Sequence, residues 1–377
     1  MLQNFLRLLC FCGIIGGKVV LSANVLMDCA ITVVVSTHEM NISGLAAGYD
    51  LQYILDVNGT LVKAFIGTYS SASLTSLLSG TEYVIHYGDI IYSCTYSCTT
   101  MPTPVQQLQV ASQTTSSIAL NWSQPEEYQS TYTYRVETYL TSLSTQVNYG
   151  TVVTNESATI IDLTAGETYT FKVYTIAADK ITDSEPTSIT ACTVPSQVSS
   201  ITVNQSVDSL VASWTTPAGN VDYYIVNITG DVNSTIHTSA TQVTVTGLYP
   251  GREYTVTVQT VTGNCSSDIT TVAQATYPSP PSSIDFTEVG EISITLSWGE
   301  PVNMTNVTKF YYVTYWNSMS LTNTRTVTCY TTSITLQNLT SGTNYTISVV
   351  TVGVQGYQST PVSRWVLIRK FILSKLG

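Results

Sequence analysis

The chain has 377 residues, only 10% of them charged, and a net charge of −11 at pH 7. This acidic balance argues against nucleic acid as a partner, because binding to phosphates needs clustered Lys and Arg. Strand-forming residues such as Thr and Tyr are abundant, and no long apolar segment has a 3.6-residue period, so the sequence favours an all-β protein. Its length allows three or four domains of about 100 residues each.

Residues 1–23 are typical of a secretory signal peptide. Arg7 ends a short polar segment, an apolar run at 8–15 follows, and Ser22 and Ala23 offer a cleavage site. The signal predicts an extracellular or cell-surface protein, and the sequence as it stands is expected to be secreted. No apolar run reaches the ~18–20 residues that a spanning helix needs, so no membrane span is predicted in this chain.

A Leu-x-x-Gly-x-x-Tyr motif occurs four times along the chain. Its copies are Leu77-Gly80-Tyr83, Leu163-Gly166-Tyr169, Leu248-Gly251-Tyr254 and Leu339-Gly342-Tyr345, and their tyrosines are 86, 85 and 91 residues apart. A period close to the length of one small domain indicates tandem domains. The Gly permits a tight turn, and the Tyr then opens a strand with its ring in the core and its hydroxyl bonded to upstream backbone, an arrangement called a tyrosine corner.

Three of these motifs follow an alternating run that ends in Trp. The runs are 118–122, 210–214 and 294–298, and the intervals from Trp122, Trp214 and Trp298 to the next corner Tyr are 47, 40 and 47 residues. Alternation places Ile118, Leu120 and Trp122 on one face of a strand. We predict that the three Trp and the four corner Tyr form the structural cores of the domains.

In the first predicted domain, the segment 31–35 shows the same alternation but ends in Val35. Val35 lies 48 residues before Tyr83, so we predict that 31–35 is strand B and that Val35 takes the Trp position. Only 12 residues separate Ala23 from Val35, whereas 20 separate Pro102 from Trp122. Cleavage at Ala23 is therefore expected to leave this domain with a shortened strand A.

With these motifs the chain resembles tandem fibronectin type III modules, which are Ig-like β-sandwiches. The motif spacing and the Pro-containing joints predict module one, a degenerate copy, at 24–101, module two at 102–195, module three at 196–278, module four at 279–368 and a tail at 369–377. Because these joints are short, we expect the sandwiches to form a semi-rigid rod.

The resemblance extends to the ectodomains of receptor-type tyrosine phosphatases whose exteriors consist of such modules. It implies recognition or adhesion at the cell surface through an extracellular protein or glycan ligand, with any phosphatase domain outside this chain. A secreted or matrix adhesion protein of tenascin type is the alternative. A third possibility is an accessory chain that spaces a hydrolase. A cytokine receptor is disfavoured, because 121–123 is not part of a Trp-Ser-x-Trp-Ser box.

Asn-x-Ser/Thr sequons occur at 12 of the 18 Asn residues, whereas the Ser and Thr content alone gives about 5 by chance. The excess predicts a glycosylated surface, and strand alternation points Asn121 and Asn344 outward. The predicted glycosylation sites are Asn41, Asn58, Asn121, Asn155, Asn204, Asn227, Asn233, Asn264, Asn303, Asn306, Asn338 and Asn344.

Beyond the predicted signal, six cysteines allow 15 pairings, and the sequence does not choose among them. They are Cys29, Cys94, Cys98, Cys192, Cys265 and Cys329. Cys98 and Cys192 stand at matching places before domain joints, which suggests a shared role. The three His, at His38, His86 and His237, are scattered and no Cys-x-x-Cys is present, so no metal or other cofactor is predicted.

No catalytic motif of a hydrolase, metalloprotease, nucleotide-binding or phosphatase site occurs in the sequence, so no catalytic residue is nominated. Aromatic clusters instead follow the predicted position of strand C. We expect them to pack the core and cross-strand neighbours, with a binding platform as the alternative. The clusters are Tyr132, Tyr134 and Tyr139; Tyr223 and Tyr224; and Tyr311, Tyr312, Tyr315 and Trp316.

Overall fold

The computed structural model describes residues 11–15, 18–22, 31–45, 51–56, 59–64, 70–88, 93–318 and 320–370. These residues form antiparallel strands joined by turns and loops, with a short 3-10 helix at Val354–Gly356. The chain divides into two compact units, residues 1–194 and 195–377, and each unit contains two β-sandwiches. The prediction of an all-β fold is confirmed.

The strands of the first unit belong to modules one and two. They are β1 (Phe11–Ile15), β2 (Lys18–Ser22), β3 (Thr32–Val35), β4 (Met40–Ser43), β5 (Leu51–Asp56), β6 (Leu61–Ala64), β7 (Ser71–Leu74), β8 (Glu82–Gly88), β9 (Ser93–Thr99), β10 (Gln106–Gln113), β11 (Ile118–Ser123), β12 (Thr133–Leu140), β13 (Thr145–Val153), β14 (Ser157–Ile160), β15 (Thr168–Ile176) and β16 (Thr187–Cys192).

The strands of the second unit belong to modules three and four. They are β17 (Thr202–Gln205), β18 (Ser209–Ser213), β19 (Tyr223–Thr229), β20 (Ser234–Thr238), β21 (Gln242–Thr246), β22 (Glu253–Thr262), β23 (Cys265–Ser266), β24 (Thr270–Ala275), β25 (Ile284–Val289), β26 (Ile294–Trp298), β27 (Phe310–Asn317), β28 (Ser320–Cys329), β29 (Ser333–Leu336), β30 (Asn344–Val352) and β31 (Val362–Leu367).

Each sandwich packs a three-strand A–B–E sheet on a C′–C–F–G sheet. The A–B–E sheets are β3-β4-β7, β10-β11-β14, β17-β18-β21 and β25-β26-β29, and in module one β2 and β1 extend the sheet to five strands. The C′–C–F–G sheets are β6-β5-β8-β9, β13-β12-β15-β16, β20-β19-β22-β24 and β28-β27-β30-β31, with β23 also paired to β22. Neighbouring strands run antiparallel, so each strand presents alternate side chains to the core and to solvent.

The core between the two sheets is built around the predicted aromatic residues. Trp122, Trp214 and Trp298 are all buried, and each packs edge-to-face on a strand-C tyrosine, with ring centroids 5.2–5.4 Å apart. Tyr134, Tyr224 and Tyr311 are those partners. Edge-to-face pairs stabilise beyond the area that they bury, which explains why the Trp recurs at one position of strand B.

Module one corrects one prediction. Strand B is β4, because Met40 pairs with Leu74 of strand E as Ile118 pairs with Ile160 in module two. The segment Thr32–Val35 is therefore strand A, and Gly44 occupies the Trp position, four residues after Met40. The 48-residue spacing was misleading, because the Trp-to-Tyr interval varies with the length of the C–C′ hairpin. Gly44 to Tyr83 is 39 residues, close to the 40 of module three.

This register also removes the expected shortening of strand A. Strand A begins at Thr32, so cleavage after Ala23 would leave strands A to G intact. In the structure β2 continues the A–B–E sheet by pairing with β3, and β1 pairs with β2. Both strands fall within the predicted signal 1–23, and the rest of that segment lies outside the described residues. The signal peptide stays a prediction. Residues 371–377 of the predicted tail also lie outside the described part.

Candidate recognition surface

The four corner tyrosines make the expected hydrogen bond to upstream backbone. The Tyr169 hydroxyl accepts a hydrogen bond from the Thr164 N–H at 2.9 Å, and Tyr254 accepts one from the Tyr249 N–H at 2.9 Å. The same contact occurs at Tyr83 and Tyr345. In each case the turn leaves one backbone N–H without a partner in a strand ladder. The tyrosine hydroxyl accepts a hydrogen bond from that N–H.

The corner glycine of module one is also a contact point for module two. Gly80 has φ of +57°, and a Cβ added there would overlap the Tyr132 hydroxyl. That hydroxyl donates a hydrogen bond to Ser79 O at 3.1 Å, and the Ser79 N–H donates to the Glu127 carboxylate at 2.8 Å. The backbone bond from Ser79 lowers the pKa of Glu127. Tyr132 therefore lies in the joint between the modules, not in the predicted strand C.

Modules three and four meet in the same way. Met304 is fully buried against Gly251, where a Cβ would overlap its methyl group. Gln274 donates a hydrogen bond to the Tyr357 hydroxyl at 2.8 Å, and the rings of Tyr277 and Tyr357 pack edge-to-face at 5.5 Å. Within each unit, neighbouring modules are thus joined by side chains that fit one another.

The remaining aromatic residues divide by strand alternation. Tyr134, Tyr224, Tyr311 and Tyr315 are buried core residues. Tyr139, Tyr223, Tyr312 and Trp316 alternate with them and lie half-buried on the outer face of the C′–C–F–G sheets. Core packing therefore accounts for only part of these clusters.

Eleven of the twelve sequon asparagines lie in the described residues; Asn58 lies outside them. Asn121, Asn227 and Asn344 are half-buried on the outer faces of their strands. The exposed ones are Asn41, Asn155, Asn204, Asn233, Asn264, Asn303, Asn306 and Asn338. None of the eleven is buried, so the fold leaves each of these side chains some access to solvent.

The cysteines do not share roles as their spacing suggested. Cys98 is a buried free thiol opposite Tyr83, and burial, followed by the charge of Glu82, raises its pKa to about 12. Cys192 is disulfide-bonded and lies opposite Thr168, one residue out of phase with the corner Tyr169. That single-residue offset turns the two side chains to opposite faces of the strand. Cys265 is also disulfide-bonded, and Cys329 is a buried free thiol.

The outer face of the C′–C–F–G sheet in module two carries a connected charged and aromatic network. Arg135 on β12 forms ion pairs with Glu137, at 3.2 Å, and with Asp183, at 2.6 Å. Its guanidinium also lies 4.5 Å from the ring centroid of Tyr174 on β15. The planar guanidinium suits such combined stacking and pairing. Alternation with buried Tyr134 and Val136 explains why Arg135 and Glu137 point outward.

The network continues along the same face. The Tyr139 hydroxyl donates a hydrogen bond to Glu137 at 2.8 Å, and the Lys172 ammonium lies 4.8 Å from the Tyr139 ring centroid. Burial, together with the negative charge of Glu137, raises the pKa of Tyr174 to about 12. Burial also raises the pKa of the Asp183 carboxyl, against the opposing effect of Arg135. We call Arg135, Glu137, Tyr139, Lys172, Tyr174 and Asp183 the Arg135 face.

The Arg135 face is free of sequons, unlike the equivalent faces of modules three and four. The sequons of module two are Asn121 on strand B and Asn155 in the segment between β13 and β14. In module three Asn227 lies on strand C, and in module four Asn344 lies on strand F. A glycan at either position would cover the corresponding sheet. The sequence alone did not single out this face, although an outward Arg and Glu in a chain with so few charges is a signal for it.

Across the ranges that the structure covers, no helix has both the length and the apolar character needed to cross a bilayer. In the same part of the chain, no three His, Cys, Asp or Glu side chains are grouped so that they could hold a metal ion.

Comparison with known proteins gives the same result as the motifs. The family model "Fibronectin type III domain" matches residues 103–190, 194–276 and 279–365. Receptor-type tyrosine-protein phosphatase H from Homo sapiens is 32% identical over 278 residues, 72% of this chain and 24% of that protein. Receptor-type tyrosine-protein phosphatase eta from Gallus gallus is 28% identical over 79% of this chain and 22% of its own length.

Tenascin-R from Gallus gallus is 26% identical over 52% of this chain and 15% of that protein. The chain thus spans about a quarter or less of the length of these relatives. The match to the family model covers well over half of the chain. Three of the four corners and the three buried Trp residues lie within the matched ranges, and the two-sheet topology agrees with the match. The chain belongs to the fibronectin type III family.

Proposed function

We propose that the chain is the extracellular recognition region of a cell-surface receptor of the receptor tyrosine phosphatase type. The similarity to phosphatases H and eta supports this class. The predicted signal and the sequon excess support an extracellular location, and the corrected register of module one allows cleavage after Ala23 without damage to its sandwich. The chain itself contributes binding, and any phosphatase domain would lie in a longer form.

The Arg135 face is the ligand contact surface in this proposal, and the observation that carries it is that a sequon-free sheet presents interlocked Arg and Tyr side chains. Tyr and Arg dominate the energetics of protein interfaces, because they combine a large apolar area with directed hydrogen bonds. The ion pairs of Arg135 with Glu137 and Asp183 hold these groups in place before binding. A preformed surface loses less conformational entropy when a ligand binds.

An added glycan tests the face directly. Lys172→Asn combined with Tyr174→Thr creates a sequon on β15 in the middle of the face. The secreted chain, fused to a dimerising antibody Fc, serves as a probe of the surfaces of a panel of animal cell lines. We expect cell binding by the glycosylated variant to fall at least about tenfold, because an oligosaccharide attached to β15 keeps a protein partner away from the sheet.

The matched control is Lys172→Gln with Tyr174→Thr, which makes similar side-chain changes without a glycan and should retain more binding than the sequon variant. Full binding by the glycosylated variant would remove the Arg135 face from the proposal.

A secreted or matrix adhesion protein, as the tenascin similarity suggests, is the second candidate. Its signature would be binding to deposited matrix and not to cells.

A further inference from the structure

A shallow cavity of about 380 Å³, wide open to solvent, lies between modules three and four, in the unit 195–377. It is lined by Asp231, Tyr249, Arg252, Asn303 and Thr305. Asn303 and Thr305 are the first and third residues of one sequon. The acceptor asparagine and the hydroxyl residue that defines its sequon therefore both face the same concave site.

The middle residue of that sequon fixes the geometry. Met304 is fully buried in the joint, and its sulfur accepts a hydrogen bond from the Ser279 N–H at 3.3 Å. The Met304 carbonyl is held by the Lys309 ammonium at 2.9 Å. Asn303 has φ of +59°, a conformation that Asn tolerates better than most residues. Anchoring of Met304 thus holds the side chains on either side of it at the wall of the cavity.

The opposite wall offers the polar and aromatic side chains that sugar-binding sites use. Arg252 and Asp231 form an ion pair at 2.7 Å, and together they offer hydrogen-bond donors and acceptors. Tyr249 leaves 47% of its surface exposed, while its own N–H and C=O are bonded to Tyr254 and Thr276. A concave site with an aromatic ring and a few fixed polar groups suits a small polar ligand with apolar faces.

We propose that Asn303 is N-glycosylated and that the first N-acetylglucosamine residues of its glycan occupy this cavity and fasten module four to module three. In the transfer, the Asn303 amide nitrogen loses a proton and bonds to C1 of the sugar of a lipid-diphosphate-linked oligosaccharide. The C1–O bond breaks, and the lipid diphosphate leaves. The inference rests on the proposed extracellular function, since only a chain in the secretory pathway meets this donor.

Asn306 provides an internal comparison. It is also exposed, has φ of +60° and begins its own sequon with Thr308. It is not among the residues that line the cavity. Its glycan is therefore expected to extend freely into solvent, three residues from one that is held.

The test is site-resolved deglycosylation of the full secreted chain. A peptide-N-glycosidase converts each occupied Asn to Asp, and mass spectrometry reads the conversion at each site. On the native chain we expect release from Asn303 to be at least about tenfold slower than from Asn306, and the difference to vanish after denaturation. Equal native rates would overturn the inference. Unmodified Asn303 beside other occupied sequons would overturn it and leave the proposed function standing, whereas a chain with no occupied sequon would overturn both.

Variants add a second readout. Thr305→Ala abolishes the glycan and leaves Asn303 in place, Thr305→Ser preserves the sequon, and Thr308→Ala removes only the glycan of Asn306. We expect limited proteolysis at the joint, residues 276–281, to be about tenfold faster in Thr305→Ala than in the unmodified chain. Thr305→Ser and Thr308→Ala should resist as the unmodified chain does. Equal cleavage of Thr305→Ala and Thr308→Ala would contradict the inference.

Discussion

Replacing Trp298 by Ala is expected to lower the free energy of unfolding of module four by about 3–5 kcal/mol. The side chain is only 4% exposed and packs edge-to-face on Tyr311 with ring centroids 5.2 Å apart. Its backbone N–H is bonded to Thr332 O between strands B and E, so the surrounding strands cannot easily collapse into the space that the ring leaves. Urea unfolding of residues 279–368 measures the loss.

Trp365→Ala in the same module is the matched control. Trp365 lies on strand G with 69% of its surface exposed, so its removal should change stability by no more than about 0.5 kcal/mol. Equal losses for the two variants would mean that the strand-B Trp is not what holds the sheets together.

The same argument makes module one the least stable of the four modules. Gly44 occupies the strand-B position at which the other three modules have Trp, and glycine has no side chain to fill the space between the sheets. Hydrogen exchange on the intact chain resolves the modules by peptide. We expect the amides of β3 and β4 to exchange before those of β10 and β11, and the reverse order would contradict the role assigned to the Trp.

Tyr169→Phe is expected to destabilise module two by about 1–3 kcal/mol. The substitution keeps the ring in the core and removes only the hydroxyl, which leaves the Thr164 N–H without its acceptor. The group that loses its partner is a backbone donor in the turn, and leaving such a donor unsatisfied costs free energy of this size. Chemical denaturation of residues 102–195 gives the value.

Tyr128→Phe is the control for the corner, because Tyr128 is half exposed and lies outside the strands of module two. It should be neutral within about 0.5 kcal/mol. If Tyr169→Phe is equally neutral, the corner does not hold this module, and Tyr169 would have to be reconsidered as a contact residue.

The fold was predictable because its signals repeat. The Leu-x-x-Gly-x-x-Tyr motif fixes one turn in each sandwich, and alternation with a terminal Trp identifies strand B without reference to tertiary contacts. The register of module one was predicted wrongly. Without a Trp, the prediction relied on the interval from strand B to the corner Tyr, and that interval changes with the length of the C–C′ hairpin. The pairing of Met40 with Leu74 is a long-range fact that spacing cannot supply.

The candidate surface was harder to predict, because its members come from distant segments. Arg135, Tyr174 and Asp183 meet only when strands C and F pair and the following loop folds back. The role of Tyr132 at the joint likewise depends on where Gly80 lies in space. The cysteines show how little is needed to defeat a prediction from spacing. Relative to the corner Tyr, the positions of Cys98 and Cys192 differ by one residue, so the two side chains lie on opposite faces of the strand.

Secretion and glycosylation decide whether the chain is extracellular, and mass spectrometry of the protein expressed in animal cells measures both. We predict a product recovered from the medium, cleaved near Ala23, with glycans at sequons that the structure exposes, such as Asn155 and Asn204. Glycosidase treatment should then reduce its mass accordingly. An unglycosylated product retained in the cytosol with Met1 intact would show that the chain is not extracellular.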